Sequence, residues 1–279
     1  MMKKENKNQR TKLKKMTLAE KADRHDLYQQ SVQNVVSEIN MIDKTFESLT
    51  GRKALTLRED FCGTANTSCE WVGRRVRNTA FGVDLDEEVL NWGNRQNVSC
   101  LPKTSKKRIK LINEDVLKAK TPPVDAVIAM NFSYQIFKTR ASLKEYFHTA
   151  LCNLVDDGVF FLDAFGGYEA FRELEEATKY DNFTYIWDQH SYNPINGDIT
   201  CFIHFKFPDG SKLKKAFVYN WRLWTLSELR ELLTEAGFSR VTVYWEGTDE
   251  KTGEGNDVYL PSEIGDADAG WICYISAQK

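Results

Sequence analysis

ALTLREDFCGTANTS, residues 54–68, decides the fold. ALTL running into REDF has the apolar and β-branched character of a strand, FCGT is a small-residue turn around Gly63, and ANTSCEWVGRRV has helical spacing. A strand that turns straight into a helix sets backbone N–H groups and the positive helix end at the carboxyl edge of a parallel sheet. Such edges bind ligands.

Downstream the alternation repeats. TAFGVDL (79–85) reads as a second strand, and DEEVLNWGNRQN as a helix with Asp86 at its N-cap and acids in its first turn, where the helix dipole favours them. RIKLINEDV (108–116) is a third strand, and VDAVIAMNF (124–132) a fourth, apolar almost throughout. The helix SLKEYFHTALCNLV is expected to end at Asp156-Asp157-Gly158, before a fifth strand GVFFLDAF. Strands apolar on both faces and separated by helices define a doubly wound α/β domain, its parallel sheet covered on both sides.

Between about residues 168 and 221 the rhythm changes. FTYIWDQHSY, DITCFIHFKF and KLKKAFVYNWRLW are rich in β-branched and aromatic residues and are separated by Asn196-Gly197 and Pro208-Asp209-Gly210. An antiparallel β meander inserted in the α/β core is expected there. TLSELRELLTEAG then offers Thr225 as N-cap, Glu228 for a capping box and Gly237 as a stop, and RVTVYWEG and WICYISAQK are the last two strands. Residues 247–270 between those strands hold seven acids and one Lys and read as a long surface loop.

On the amino-terminal side Leu27, Val32, Val35, Val36, Ile39, Ile42, Phe46 and Leu49 recur at helical spacing before Gly51, so 17–50 is a helical segment ahead of the main domain, 51–279. Residues 1–16 contain almost nothing to bury and read as a disordered basic tail. Residues 1–24 carry nine Lys/Arg against three Asp/Glu, so the net charge of -2 hides a basic end and an acidic remainder. At 279 residues, 42% hydrophobic and 28% charged, the chain can bury a sizeable core. No apolar run reaches the roughly 20 residues of a membrane helix. The six cysteines form no CxxC pair, and no zinc spacing, serine-hydrolase elbow or phosphate loop occurs. A cytoplasmic protein without a metal is expected.

Two acids give the glycine turn its meaning. Asp84 closes the second strand 21 residues after Gly63, the distance at which an acid accepts hydrogen bonds from ribose hydroxyls. Asp115 closes the third strand, placed for an exocyclic amine. Glycine turn, ribose acid and base-edge acid on three consecutive strand ends describe an adenosine pocket; without G-x-G-x-x-G spacing, it has no pyrophosphate cradle.

These motifs resemble those of the class I S-adenosylmethionine-dependent methyltransferases, over roughly residues 51–168 and 221–279. Glu59 takes the place of the acid that precedes the family's glycine turn. FCGTA aligns with the common GCGTG, with Phe61 and Ala65 standing where the family has glycine. The resemblance implies a Rossmann-like, seven-stranded, mostly parallel sheet with a reversed last strand, S-adenosylmethionine as cofactor and S-adenosylhomocysteine as product. It further implies that Glu59, Phe61, Cys62, Gly63 and Thr64 face the methionine portion, with Arg58 helping to hold its carboxylate. Asp84 and Leu85 would take the ribose, Asp115 and Val116 would border the adenine, and Asn131 and Phe132 would lie beside the sulfonium.

Methyl transfer is an in-line displacement that mainly needs alignment and exclusion of water, so no nucleophilic side chain is required. His190 is the candidate base, with Asp163 and Asn131 as alternatives. The aromatic meander suits a lid over the acceptor, as similar insertions form in glycine N-methyltransferase and sugar N,N-dimethyltransferases. Tyr134 and Phe165 are expected to floor the acceptor pocket, and Tyr28 and Trp221 to cover it. The acids of 247–268 and the aromatic faces favour a small acceptor, cationic or amine-bearing, methylated on nitrogen or oxygen. Two alternatives stay open. One is a nucleic-acid methyltransferase tethered by the basic tail, although NFSY lacks the Pro-Pro-aromatic pattern of that group. The other is a catalytically inactive nucleoside-binding module of the same fold.

Overall fold

A computed structural model describes residues 16–249, 251–252 and 255–279; the expected basic tail lies outside them apart from Met16. β1 (Thr56–Asp60), β2 (Thr79–Asp84), β3 (Ile109–Asn113), β4 (Val124–Ala129) and β5 (Leu154–Gly166) pair in parallel. β6 (Leu174–Lys179), β7 (Thr184–Asn193), β8 (Asp198–Lys206) and β9 (Lys212–Arg222) form a separate antiparallel sheet, where the meander was expected. The chain then rejoins the first sheet with β10 (Arg240–Thr248), β11 (Gly255–Pro261) and β12 (Trp271–Gln278), and the full order is β3-β2-β1-β4-β5-β12-β10-β11. β12 is reversed against β5, with Tyr274 opposite Asp163.

Seven strands of this sheet are those read from the sequence. The eighth, β11, pairs antiparallel with β10, Leu260 opposite Trp245, inside the stretch expected to be a surface loop. Its Val258-Tyr259-Leu260 run is short and flanked by acids and glycines, which masks the strand signal. A second boundary also moves. The helix before β5 ends at Cys152, because the Asn153 side chain folds back to donate to the Thr149 carbonyl at 2.8 Å. Asp156-Asp157-Gly158 therefore lie within β5, whose register against β4 shifts there.

The helices are α1 (Leu18–Lys21), α2 (Arg24–Ser31), α3 (Val35–Thr50), α4 (Asn66–Arg74), α5 (Glu87–Gln96), α6 (Lys103–Lys106), α7 (Arg140–Cys152) and α8 (Leu226–Ala236). α3 and α4 bury Ile39, Ile42, Phe46, Trp71 and Val72 on one face of the large sheet. α7 and α8 bury Leu143, Phe147, Leu229, Leu232 and Leu233 on the other. The buried run of β4 divides between them by alternation, Ala126 and Ile128 to the first face and Val127 and Ala129 to the second. Each of the buried Val, Leu, Ile and Phe side chains contributes about 1.5–3 kcal/mol on burial. Caps fall where the sequence put them: Asp86 accepts from the N–H groups of Glu88 and Val89, Thr225 and Glu228 form a capping box, and Gly51 and Gly237 end α3 and α8 in the left-handed region.

The amino-terminal helices hold the small sheet over the large one. Leu27 of α2 packs among Phe183, Ile203, Phe205, Phe207 and Ala216. The Leu18 N–H donates to Asp209 at 2.9 Å and the Ala19 N–H to Ser211 at 3.1 Å, tying α1 to the turn between β8 and β9. At the exit of β9, the Trp224 indole donates to the Phe137 carbonyl at 3.1 Å, and the Arg222 guanidinium lies 3.6 Å from the Trp224 ring centroid. No described helix is long and apolar enough to cross a membrane.

Candidate functional site

β4 departs from β1 on the opposite side from β2, so the carboxyl ends of β1 and β4 flank the switch point where open α/β sheets bind ligands. At the β1 end the chain takes left-handed conformations at Phe61 (φ 58°), Gly63 (φ 51°) and Ala65 (φ 57°). The backbone thus keeps a three-glycine turn although only one residue is glycine. Each non-glycine residue held there costs about 1–2 kcal/mol. Phe61 offsets this by packing its ring on Tyr146, centroids 5.4 Å apart, and on Phe137 at 6.2 Å. α5 presses on the turn from outside: a Cβ at Gly93 would collide with the Thr64 carbonyl oxygen, so only glycine fits.

The expected acids gather at this edge. Asp84 accepts from the Gly63 N–H at 2.7 Å and from the Asp86 N–H at 2.9 Å, and burial raises its carboxyl above the usual range. Each of its oxygens keeps a further lone pair. Glu59 is buried on the α4 side, accepting from the Ser68 hydroxyl at 2.5 Å and amide at 2.8 Å, and burial pushes its pKa to about 7. Asp115 follows β3 and accepts from the Leu117 N–H at 3.0 Å, with Val116 buried beside it; Leu85 is 73% exposed at the outer rim. Thr64 accepts from Gln29 of α2 at 3.2 Å, and the Cys62 thiol is buried against Gly82.

The β4 end is built differently. Asn131 and Phe132 are consecutive left-handed residues, both at φ 57°. The buried Asp163 carboxylate of β5 holds them, accepting the Asn131 N–H at 2.8 Å and the Phe132 N–H at 2.9 Å. Burial raises Asp163 to about 7.

Beyond Phe132 a cavity of about 650 Å³ opens between the large sheet, the small sheet and α2. Asn131, Phe132, Phe165 and Trp271 line it from the large sheet; Tyr185, Trp187, Gln189, Tyr219 and Trp221 from the small one; Tyr28 from α2. Glu169, Glu176 and Glu246 also line it, and no Lys, Arg or His does among the described residues. Phe132 meets Phe165 edge-on at 4.8 Å. Gly166 and Gly167 let the chain leave β5 beneath Trp271 and Ala269, where side chains would collide.

Three expected positions are corrected. Arg58 does not face the site: 1% exposed on the α7 side of β1, it pairs with Asp60 at 2.7 Å and donates to the carbonyls of Val116 at 2.8 Å and Ala119 at 3.0 Å. Tyr134 does not floor the cavity, because the single helical turn Ser133–Ile136 rotates it into the core beside Phe147. His190 does not reach the cavity either: Tyr185, Trp187 and Gln189 of β7 point inward, so His190 points outward, its side chain 57% exposed and against Phe202 at 4.8 Å. Phe165, Tyr28 and Trp221 do line the cavity, and Trp221, 4% exposed, is also part of the small sheet's core. Glu169, Glu176, Tyr259 and Trp271 carry no sequence signal of their own; Tyr185, Trp187 and Gln189 are readable from strand alternation.

The sheet order, the reversed β12 beside β5 and the glycine turn after β1 are the class I S-adenosylmethionine-dependent methyltransferase fold. No family model and no curated protein matches the sequence. Among solved structures the chain is similar to DesVI of Streptomyces venezuelae, at 19% identity and TM-score 0.65 over 92% of this chain and 98% of that one. It is also similar to CalS10 of Micromonospora echinaspora, an amino pentose methyltransferase, at 14% and 0.63 over 91% and 96%. A third is an S-adenosylmethionine-dependent methyltransferase of Clostridium acetobutylicum, at 15% and 0.61 over 91% and 96%. At these identities the likeness is one of fold.

Proposed function

We propose that the protein is an S-adenosylmethionine-dependent methyltransferase acting on the nitrogen of an amine-bearing small molecule. The observation that carries this reading is the cavity lining: three carboxylates, nine aromatic residues and no described cationic side chain, with Asn131 and Phe132 just beyond β4 among them. An ammonium is drawn to carboxylates and to aromatic faces alike. The sugar N-methyltransferase KedS8 and the amino pentose methyltransferase CalS10 have the same fold, which supports this choice.

The residues at the β1 end fit the cofactor. The space beside Gly63 is open, with nothing within 4 Å of where a Cβ would stand. Asp84 has lone pairs left for ribose hydroxyls, Asp115 and Val116 border the base, and Glu59 with the 61–64 backbone faces the methionine portion. When bound, S-adenosylmethionine supplies an electrophilic methyl group on sulfur. The chain's own part is to orient and shield. Asp163 fixes the strand end beside the cavity, the rings of Phe132, Phe165, Trp187 and Trp221 exclude water, and the three Glu side chains accept hydrogen bonds from the ammonium, one carboxylate taking the proton whose loss exposes the nitrogen lone pair.

Calorimetry with S-adenosylmethionine, followed by a panel of amino sugars, amino acids and simple amines beside their hydroxyl isosteres, tests this. Release of S-adenosylhomocysteine with amines but not with the isosteres is expected. Methylation of the hydroxyl compounds alone, or no cofactor binding, overturns it.

A further inference from the structure

Glu38 stands in the first turn of α3, 7% exposed, and its Oε2 has no hydrogen-bond partner. A buried carboxylate oxygen left without a partner costs free energy, so it points to something that completes it. Packing shows where it lies: its neighbour Ile39 shares a buried cluster with Ile128 and Met130 at the end of β4 and Phe161 of β5, with Tyr274 of β12 packed against it, and Gln33, just before α3, accepts from Asn66 at the start of α4 at 3.2 Å. Glu38 also acts electrostatically on Glu59 of β1, Asp163 of β5, Tyr28 of α2 and Tyr274 of β12. It therefore belongs with the turn after β1 and the end of β4.

Glu38, Glu59 and Asp163 are all buried, all raised to about 7 by burial, and within electrostatic reach of one another. Glu59 is held by Ser68 and Asp163 by two backbone amides, all neutral donors. None of the three forms an ion pair among the described residues, whereas Asp60, next in sequence to Glu59, has Arg58 at 2.7 Å. The protein thus neutralises Asp60 with its own cation and leaves Glu38, Glu59 and Asp163 without one. Buried carboxylates in such a group destabilise one another when ionised, so they either keep protons or draw in a positive charge.

We propose that Glu38 is a binding residue for the cationic methionine end of the cofactor, its free oxygen completing with Glu59 and Asp163 an anionic basin that prefers a sulfonium to an uncharged thioether. This rests on the cofactor assigned under Proposed function. On methyl transfer the sulfur gives up its methyl group, keeps the electron pair of the broken bond and becomes neutral, while the acceptor nitrogen takes the positive charge. The basin then holds the product less tightly than it held the cofactor, which favours exchange of one for the other.

The test compares the affinity of the full chain and its Glu38→Gln variant for S-adenosylmethionine and S-adenosylhomocysteine by calorimetry. The variant is expected to lose tenfold or more for the sulfonium ligand and to stay within threefold for the thioether, whose binding also reports a folded site. Equal losses for both ligands, or a sulfonium affinity within twofold of the parent, overturn the proposal. If the parent binds neither ligand, the cofactor assignment itself fails, a separate result. Glu38→Met guards against a folding defect. It removes the unpartnered acid with an apolar chain of similar length, so the ligand-free melting temperature is expected to hold or rise while the sulfonium preference disappears. A lower melting temperature with the preference intact shows a structural role and overturns the proposal.

Discussion

The carboxylate of Asp163 accepts the backbone N–H of Phe132 at 2.9 Å, joining β5 to the first residue beyond the β4 turn. Its second oxygen takes the Asn131 N–H, so one buried side chain holds two residues in the left-handed region. That turn sits beside the cavity. In Asp163→Asn only one oxygen remains to accept, and a buried amide loses its partner at a cost of about 1–3 kcal/mol. A lower melting temperature and reduced turnover are expected, and unchanged values for both would refute the clamp.

Positions 61 and 65 share a backbone conformation and should respond unequally to glycine. Ala65→Gly removes left-handed strain but also a buried methyl group clustered with Cys62 and Leu90, so the two effects offset and stability should stay within about 1 kcal/mol of the parent with cofactor affinity kept. Phe61→Gly removes the same strain but also the ring packed on Tyr146 and Phe137, and should destabilise by roughly 2–4 kcal/mol. Denaturant titration of the pair measures the contrast.

Gly93→Ala sets a methyl group against the Thr64 carbonyl oxygen, which belongs to the backbone of the glycine turn. The turn must give way, so cofactor affinity should fall at least tenfold while the large hydrophobic clusters stay intact. Calorimetry alongside a thermal melt checks this, and parental affinity would show that the turn tolerates the shift.

Trp221 is both cavity wall and sheet core, so Trp221→Ala confounds two effects. Trp221→Phe keeps most of the packing and withdraws part of the wall. Its expected signature is a raised KM for the acceptor with cofactor affinity within a few fold. A change confined to stability would assign the residue to the core alone.

Glu38, Glu59 and Asp163 also make stability depend on pH. Their folded pKa values, about 7, exceed the ordinary 4.5 and 3.8, so the native state keeps these protons longer than the unfolded chain. Stability from this source is full below about pH 4 and is lost as pH rises toward about 7. Glu38→Gln removes one such group from among Glu59, Asp163, Tyr28 and Tyr274. Its ligand-free melting temperature relative to the parent should therefore climb between pH 4.5 and pH 7.5, and a constant difference would count against the shift.

Much of the large sheet was legible because β1, β2, β4 and β5 are apolar runs closed by turn or helix signals. The glycine turn and Asp84 were legible because each needs a fixed place at a strand end. The failures were local. Arg58 and Asp60 share one face of β1 by simple alternation, a pairing that removes Arg58 from any ligand. Tyr134 was placed by extending β4 past its end, where a helical turn reverses the side chain. β6, with LEEATK, is an edge strand whose solvated acids hide its character, and β11 is hidden in the same way. The acids of the cavity come from three separate segments, which only tertiary packing brings together.

Tyr28 and Gln29 are neighbours on α2, one lining the acceptor cavity and the other donating to Thr64 in the glycine turn. A single stretch of helix is thus a shared wall for two rooms. On the function proposed above, a shift of α2 at Tyr28 would be felt at Thr64 through Gln29, which couples the two ligand sites through adjacent side chains.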